Sequence, residues 1–208
     1  MSSYKLYYFD ARGRAELMRL IFAYKDVTYE DVRYTRETWP SVKPSFPTGQ
    51  LPCLEVDGKK LSQSIAITNF LARKYDLYGA DIWQQARIDE VIQSIMDFIT
   101  AWVRAVHEKD ETKKEELKKK VGEEDYPKFC AKMEMWLKEN GEHGVFVGND
   151  ITVADMAVFD VMWSTRKHSV NNSVFDDDKY KLLMANFKKI ETHPKIAAWI
   201  EKRPDTTV

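Results

Sequence analysis

Apolar and polar positions change their period several times along the chain, and each change marks an element. Tyr4 to Phe9 is aromatic-rich and reads as a strand. Gly13 breaks it, and from Arg14 to Tyr24 the apolar residues Leu17, Met18 and Ile21 recur at helical spacing. Val27 to Tyr34 alternates like a second strand. Strand, helix, strand at this length requires a crossover and so a parallel pair. Thr35 to Gln50 carries Pro40, Pro44 and Pro47 and reads as a loop with one short helical turn. Leu51 to Val56 is a short apolar-leaning run. Asp57-Gly58 is a hairpin signal, because both residues tolerate positive φ, and Lys60 to Ser62 can form the return strand. Ser64 stands where the N-cap of a helix running to about Tyr75 is expected.

The pattern then changes for good. Asp76 to Ala80 reads as a linker, and everything after it is helical. Asp81 to about Glu108 is one long helix with Ile82, Ala86, Val91, Ile95, Ile99, Trp102 and Val106 on or near one stripe. At about 1.5 Å per residue it spans roughly 40 Å. Lys109 to Lys120 mixes both signs of charge, which predicts a solvated helix face and not a binding patch. Pro127 marks a kink or restart before Phe129, Met133, Trp136 and Leu137. In Ile151-Thr-Val-Ala-Asp-Met156, Thr152 fits an N-cap and Asp155 can bond back to it as a capping box. Ile151 and Met156 are placed for a hydrophobic staple, so the motif reads as structural. Leu182, Leu183, Phe187 and Ile190 predict a further helix, and Pro194 opens a last one carrying Ile196, Trp199 and Ile200. A βαβ unit followed by ββα is the thioredoxin-like plan. The fold class is therefore α/β plus all-α: a thioredoxin-like domain over residues 1–78, then an all-helical domain over residues 79–208.

Composition narrows the field of partners. The 208 residues carry 32 Lys and Arg against 33 Asp and Glu, so nothing points to a nucleic acid or a membrane surface. The two cysteines, Cys53 and Cys130, argue against a disulfide framework and a four-cysteine zinc site, and they fit a reducing, cytoplasmic setting. No basic start is followed by an apolar run, so no signal peptide is expected. No apolar stretch is long enough for a bilayer.

The stretch Gly49 to Ile67 concentrates the chemistry. Free N–H groups at the helix start near Ser64 make an anion site that the helix dipole favours. Leu51-Pro52 precedes a strand, and a cis bond there would turn the Leu51 backbone outward as a template for an extended peptide. One short stretch thus offers an edge for a peptide backbone and a helix end for a carboxylate.

Pro52 with Gln63-Ser64, and Tyr4-Lys-Leu-Tyr-Tyr-Phe9 followed by Arg12-Gly-Arg-Ala-Glu16, carry a family resemblance. Over its full length, helical part and capping motif included, the chain resembles the glutathione S-transferases, the sigma class in particular. That class includes glutathione-dependent prostaglandin D synthases and invertebrate enzymes. The resemblance implies a dimer with glutathione as co-substrate. In the prostaglandin synthases acidic residues at the dimer interface hold a divalent metal; here the matching positions are Gln93 and Met96, a departure that argues against the metal site, so no metal is expected.

What the chemistry needs is modest. A free thiol has a pKa near 8.5, so about 3% is ionised at pH 7. One hydrogen bond to a charged acceptor contributes about 1.5–3 kcal/mol, which lowers that pKa by roughly one to two units. A neutral hydroxyl aimed at the sulfur is enough. A tyrosine in a first strand is ordinarily a packing residue, and the residues alone leave Tyr7 and Tyr8, on opposite faces, as equals. The resemblance selects Tyr8, through Lys5-Leu6-Tyr7-Tyr8-Phe9, as the donor. It makes Arg14 the arginine that helps hold the tyrosine and the glutathione site, with Arg12 the better surface candidate. It sets Trp39 and Lys43 at the glycyl end of glutathione, with Lys43 facing the carboxylate. Gln50 and Leu51 would meet the middle of the tripeptide, Leu51 through its backbone. Gln63 and Ser64 would hold the γ-glutamyl carboxylate, and Gly49 and Pro52 complete the set. Asp97 would reach across a dimer interface to the γ-glutamyl amine.

By the same resemblance an apolar electrophile would lie between the domains, near Phe9, Gly13, Ile99, Trp102 and Val103, with Ala157 and Val161 from the capped helix. The activity implied is conjugation of the glutathione thiolate to hydrophobic electrophiles, xenobiotics or lipid-peroxidation products. The alternatives are isomerisation of prostaglandin H2 to D2, with the same site residues, and a structural protein like the lens S-crystallins. A thioredoxin-like redox enzyme would need a cysteine at the first helix, where Asp10-Ala-Arg-Gly-Arg14 has none.

Overall fold

The structure is a computed structural model and describes residues 2–141, 143–168, 170–175 and 178–206. In chain order the elements are β1 (Tyr4–Phe9), α1 (Glu16–Tyr24), β2 (Glu30–Tyr34), α2 (Trp39–Val42), β3 (Cys53–Val56), β4 (Lys59–Ser62), α3 (Ser64–Lys74), α4 (Ile82–His107), α5 (Glu111–Lys120), α6 (Tyr126–Glu139), α7 (Val153–Lys167), α8 (Lys181–Glu191) and α9 (Pro194–Lys202). They form two compact units. One is the chain up to Leu77 together with the segment from His193 on, and the other is Tyr78–Thr192.

The first unit has the thioredoxin-like plan. Its sheet runs β2-β1-β3-β4, with β1 parallel to β2 and antiparallel to β3, and β3 antiparallel to β4. Leu6 lies opposite Leu54, and Leu54 opposite Leu61. Leu6 and Leu54 are fully buried, with Met18, Ile21 and Phe22 from α1 and Ile67 and Leu71 from α3. The β3–β4 turn takes Asp57 at φ 50° and Gly58 at φ 81°, the positive values a two-residue hairpin requires. Three local expectations are revised. β2 begins at Glu30 and not at Val27. Helical geometry starts at Gly13 as a tight 3-10 turn that leads into α1. Ser64 is the first helical residue of α3 and not its cap; the capping position is Gln63, whose φ of 75° stops the helix from extending backwards.

The last helix belongs with this first unit by packing, although residues of the second unit precede it in the chain. α9 opens with Pro194, whose missing N–H lies where no helical bond is made. It lies against α1, where the Trp199 indole donates to Glu16 at 2.9 Å and Lys195 pairs with Asp26 at 2.5 Å.

The second unit is all helical. Asp81 caps α4, accepting the Gln84 N–H at 2.9 Å. α5 has no buried residue, so the charge run is the solvated face its mixed signs predict. Pro127 sits in the first turn of α6, just after a wide turn over Val121–Asp125, and so marks a restart. No helix among the described residues is long and apolar enough to cross a membrane.

Thr152 caps α7, and the capping box is complete. Asp155 does more than close it. One carboxylate oxygen accepts from the Thr152 N–H at 2.8 Å and from its hydroxyl at 2.9 Å. The other accepts from the Phe146 N–H at 3.0 Å and from the Asn186 amide at 2.8 Å. Burial pushes this carboxyl above its usual range, and the four donors act against that shift. One side chain thus ties α7, α8 and the segment before α7 together. Asp155→Ala is expected to lower the unfolding free energy by at least about 3 kcal/mol, because it strands several buried donors at once. Urea unfolding followed by circular dichroism measures this, and a loss under about 1 kcal/mol would contradict it.

Candidate active site

Strand register brings the expected site residues of the first unit to one end of the sheet. Tyr7 lies opposite Cys53, so Leu51-Pro52 runs beside the end of β1, where Tyr8 stands. Cys53 lies opposite Ser62, so Gln63-Ser64 leaves β4 at that same end. The Leu51-Pro52 peptide is cis. Residues far apart in the chain therefore converge without any long connection.

Adjacent tyrosines meet different surroundings there. The Tyr7 hydroxyl donates to Glu55 at 3.1 Å, and its ring packs on Tyr34 and Phe46. Burial first, and then Glu55, pushes the Tyr7 phenol up to about 12. Its proton is committed. The Tyr8 oxygen instead accepts the backbone N–H of Arg14 at 3.1 Å. A phenol that accepts here keeps its own proton to give elsewhere.

This contact requires glycine one residue earlier. Gly13 has φ +38°, and a Cβ there would lie 2.7 Å from the Tyr8 oxygen and 3.0 Å from the ring. Gly13, expected at the electrophile, thus has a backbone reason of its own. The two arginines exchange their expected exposures. Arg12 is buried at 4% exposure, whereas Arg14 is exposed. What Arg14 gives Tyr8 is its backbone N–H and not its guanidinium.

The Pro-rich loop is anchored by rings. Trp39 lies 5.7 Å from Phe9, 6.0 Å from Tyr34 and 5.3 Å from Phe46, centroid to centroid. It is half-buried and fixed, not swinging free. Lys43 runs alongside Gly49: a Cβ on Gly49 would lie 3.4 Å from the Lys43 Cε. Gly49 itself takes φ +58°, and its N–H bonds to the Phe46 carbonyl at 3.1 Å. At the start of α3 the first intrahelical bond is Ile67 N–H to Gln63 carbonyl at 3.0 Å, and no side chain caps the N–H groups before it. Those donors and the helix dipole suit a carboxylate.

Several expected residues lie in the second unit. Asp97 is exposed on α4 and accepts from the Gln93 amide at 3.3 Å. Ile99 and Trp102 are half-buried and Val103 is exposed, on the same helix. Ala157 and Val161 on α7 are buried, at 3% and 5% exposure. Both cysteines are buried, and burial pushes the Cys53 thiol up and the Cys130 thiol to about 12. Burial therefore disfavours the thiolate, the reactive form, at both. Among the described residues no group of His, Cys, Asp and Glu is arranged to hold a metal ion.

The sheet edge beside Pro52, the uncapped helix start and the Tyr8 phenol lie together at one end of a thioredoxin-like sheet. The comparisons with known proteins name the family. Residues 4–73 match the glutathione S-transferase N-terminal domain and residues 96–203 the C-terminal domain. The chain is 37% identical over 206 residues to the hematopoietic prostaglandin D synthase of Mus musculus, covering 99% of each chain. It is 36% identical over 209 residues to glutathione S-transferase 3 of Caenorhabditis elegans, again covering 99% of each. The solved structure of a Nu-class transferase from Haemonchus contortus is similar over 100% of both chains, at 37% identity and a TM-score of 0.90. The chain belongs to the glutathione S-transferase family and is a transferase with glutathione as its co-substrate.

Sequence reasoning gave no role to Glu16 and Arg19, both fully buried under the loop that carries Gly13 and Arg14. The available signal was a charge pair three residues apart inside the apolar run of α1. Gly13→Ala is expected to retain the far-ultraviolet circular dichroism of the native chain while its conjugation rate falls roughly 10- to 100-fold, since the added carbon displaces the phenol. A rate within twofold of the parent would show that Tyr8 does not need its present position.

Proposed function

We propose that Tyr8 donates its hydroxyl proton in a hydrogen bond to the glutathione sulfur and so favours the thiolate. The carrying observation is the Arg14 N–H at the Tyr8 oxygen, which leaves the phenol proton free, in contrast to Tyr7. Glutathione lies along the sheet edge at Gly49, Gln50 and Leu51-Pro52. Its γ-glutamyl carboxylate is at the N–H groups of Gln63-Ser64, and its glycyl end is at Trp39 and Lys43. The thiol proton passes to solvent. The sulfur forms a C–S bond with an electrophilic carbon, and the leaving group departs; chloride leaves in the case of a chloronitrobenzene.

The same reading makes the chain a cytoplasmic, sigma-type homodimer that detoxifies xenobiotics or lipid-peroxidation products. Asp97 then meets the γ-glutamyl amine across the dimer interface. Isomerisation of prostaglandin H2 to D2 is the second reading, because a synthase of that name is among the similar proteins. It uses the same thiolate.

Tyr8→Phe is expected to raise the pKa of bound glutathione by about one to two units, since one charge-assisted bond contributes about 1.5–3 kcal/mol. At neutral pH its kcat/KM with chloronitrobenzene then falls roughly 8- to 25-fold, the ratio of the thiolate fractions, while glutathione still binds. Tyr7→Phe serves as the control and leaves both quantities near the parent values. Equal loss in the two variants would remove Tyr8 from its role. Incubation with prostaglandin H2, with chromatography of the products, decides the second reading. Light scattering with wild type and Asp97→Asn, alongside the glutathione KM of each, decides the dimer contact.

A further inference from the structure

A line of charge runs beneath the Tyr8 loop and ends on the last helix. The Arg19 guanidinium is fully buried. It donates to the backbone carbonyls of Ala11 at 2.8 Å and Arg12 at 3.4 Å. It pairs with Glu16 at 3.3 Å and with Asp31 at 3.2 Å, and its carbon lies 6.0 Å from the centre of the Tyr8 ring. Asp31 is paired in turn with Arg33 at 2.9 Å, and Arg33 with Asp10 at 3.1 Å. The second Glu16 oxygen accepts from the Trp199 indole at 2.9 Å and from the Arg203 guanidinium at 2.6 Å.

Breaking even one member of a buried ionic cluster is strongly destabilising, whereas apolar side chains of similar volume would fill the space as well or better. Stability alone therefore does not account for the cluster. What an apolar filling could not do is grip carbonyls. The two carbonyls gripped belong to the residues immediately before Gly13 and Arg14. The Arg12 carbonyl also receives the Ala15 N–H at 3.2 Å. The peptide that offers its N–H to Tyr8 is thus suspended between fixed points. An N–H held on the phenol oxygen also polarises its O–H, because bonds in series strengthen one another.

We propose that Glu16, Arg19, Trp199 and Arg203 are positioning residues for Tyr8, so that the C-terminal helix tunes the acidity of the glutathione thiol. This rests on the reading of Tyr8 as thiol donor. The path is short: α9 fixes the Glu16 carboxylate, Glu16 fixes Arg19, Arg19 fixes the loop carbonyls, and the loop fixes the Arg14 N–H on the Tyr8 oxygen.

The test uses the full chain and three variants that keep bulk. Trp199→Phe removes one donor to Glu16 and retains an aromatic ring. Arg203→Met removes the other, and Arg203→Lys restores a cation. For each, the thiolate absorbance of bound glutathione is titrated against pH, with Tyr8→Phe as reference. The expected result is an apparent thiol pKa about half a unit to one unit higher in Trp199→Phe and Arg203→Met, with kcat/KM at neutral pH about 1.5- to 8-fold lower, following the thiolate fraction. Arg203→Lys returns most of that shift, and the glutathione KM changes less than kcat in all three. If Tyr8→Phe moves the titration but Trp199→Phe and Arg203→Met lower only the melting temperature, the cluster braces the fold and the proposal is overturned. If Tyr8→Phe itself leaves the titration unmoved, the Tyr8 reading falls and this proposal falls with it. Should Arg203→Met fail to fold, Trp199→Phe decides.

Discussion

The Tyr8 oxygen is held by one backbone N–H, and the surrounding structure keeps that N–H where it is. Gly13 supplies the positive φ and the missing Cβ that let the peptide approach the ring. Arg19 fixes the two carbonyls upstream. The 3-10 turn at Gly13–Ala15 then hands the chain to α1, whose buried face is shared with the sheet. A hydrogen bond to a half-buried phenol is worth little by itself. It gains consequence when one partner is a peptide group that cannot relax, because the direction left for the phenol proton is then set before any substrate arrives.

Tyr7 and Tyr8 show how little the residue type decides. They are neighbours with the same ring, and the alternation of a strand sends them to opposite faces. One phenol meets a carboxylate and is committed; the other meets a donor and is released. Strand periodicity makes the separation foreseeable, but which face holds Glu55 and which holds the loop N–H depends on β3 and on the turn after β1. Those facts are tertiary. In the sequence the two candidates were therefore equal, and only family resemblance separated them.

Elements governed by local chemistry were legible: β1, the Asp57-Gly58 hairpin, the capping box at Thr152 and Asp155, and the proline-opened last helix. Where expectation and structure part, the deciding force is tertiary or conformational. Ser64 reads as a cap, but Gln63 takes the positive φ that ends the helix. Arg12 reads as a surface residue, yet it is buried while Arg14 is exposed. Glu16 meets Trp199 and Arg203 across separations of 183 and 187 residues, beyond any window in which charge pattern is informative. The convergence of Tyr8, Pro52 and Ser64 at one sheet end was implicit in the order of strands, so the candidate site was more legible than the cluster that supports it.

Each unit contains a fully buried carboxylate at the beginning of a helix that joins segments distant in sequence. Glu16 opens α1, and Asp155 lies in the first turn of α7. Both positions have the helix dipole in their favour. Their partners differ. Asp155 is surrounded by neutral donors, Thr152, Phe146 and Asn186, that close on one another. Such a cluster is complete in itself and can only hold its unit together. Glu16 is paired with two guanidinium groups, and one of these, on Arg19, also donates to the carbonyls of a loop that reaches the phenol. A buried charge whose partner grips the backbone transmits position, whereas one ringed by neutral donors does not. On the proposed role of Tyr8, that difference is why the same device serves folding in one unit and bears on the thiol in the other.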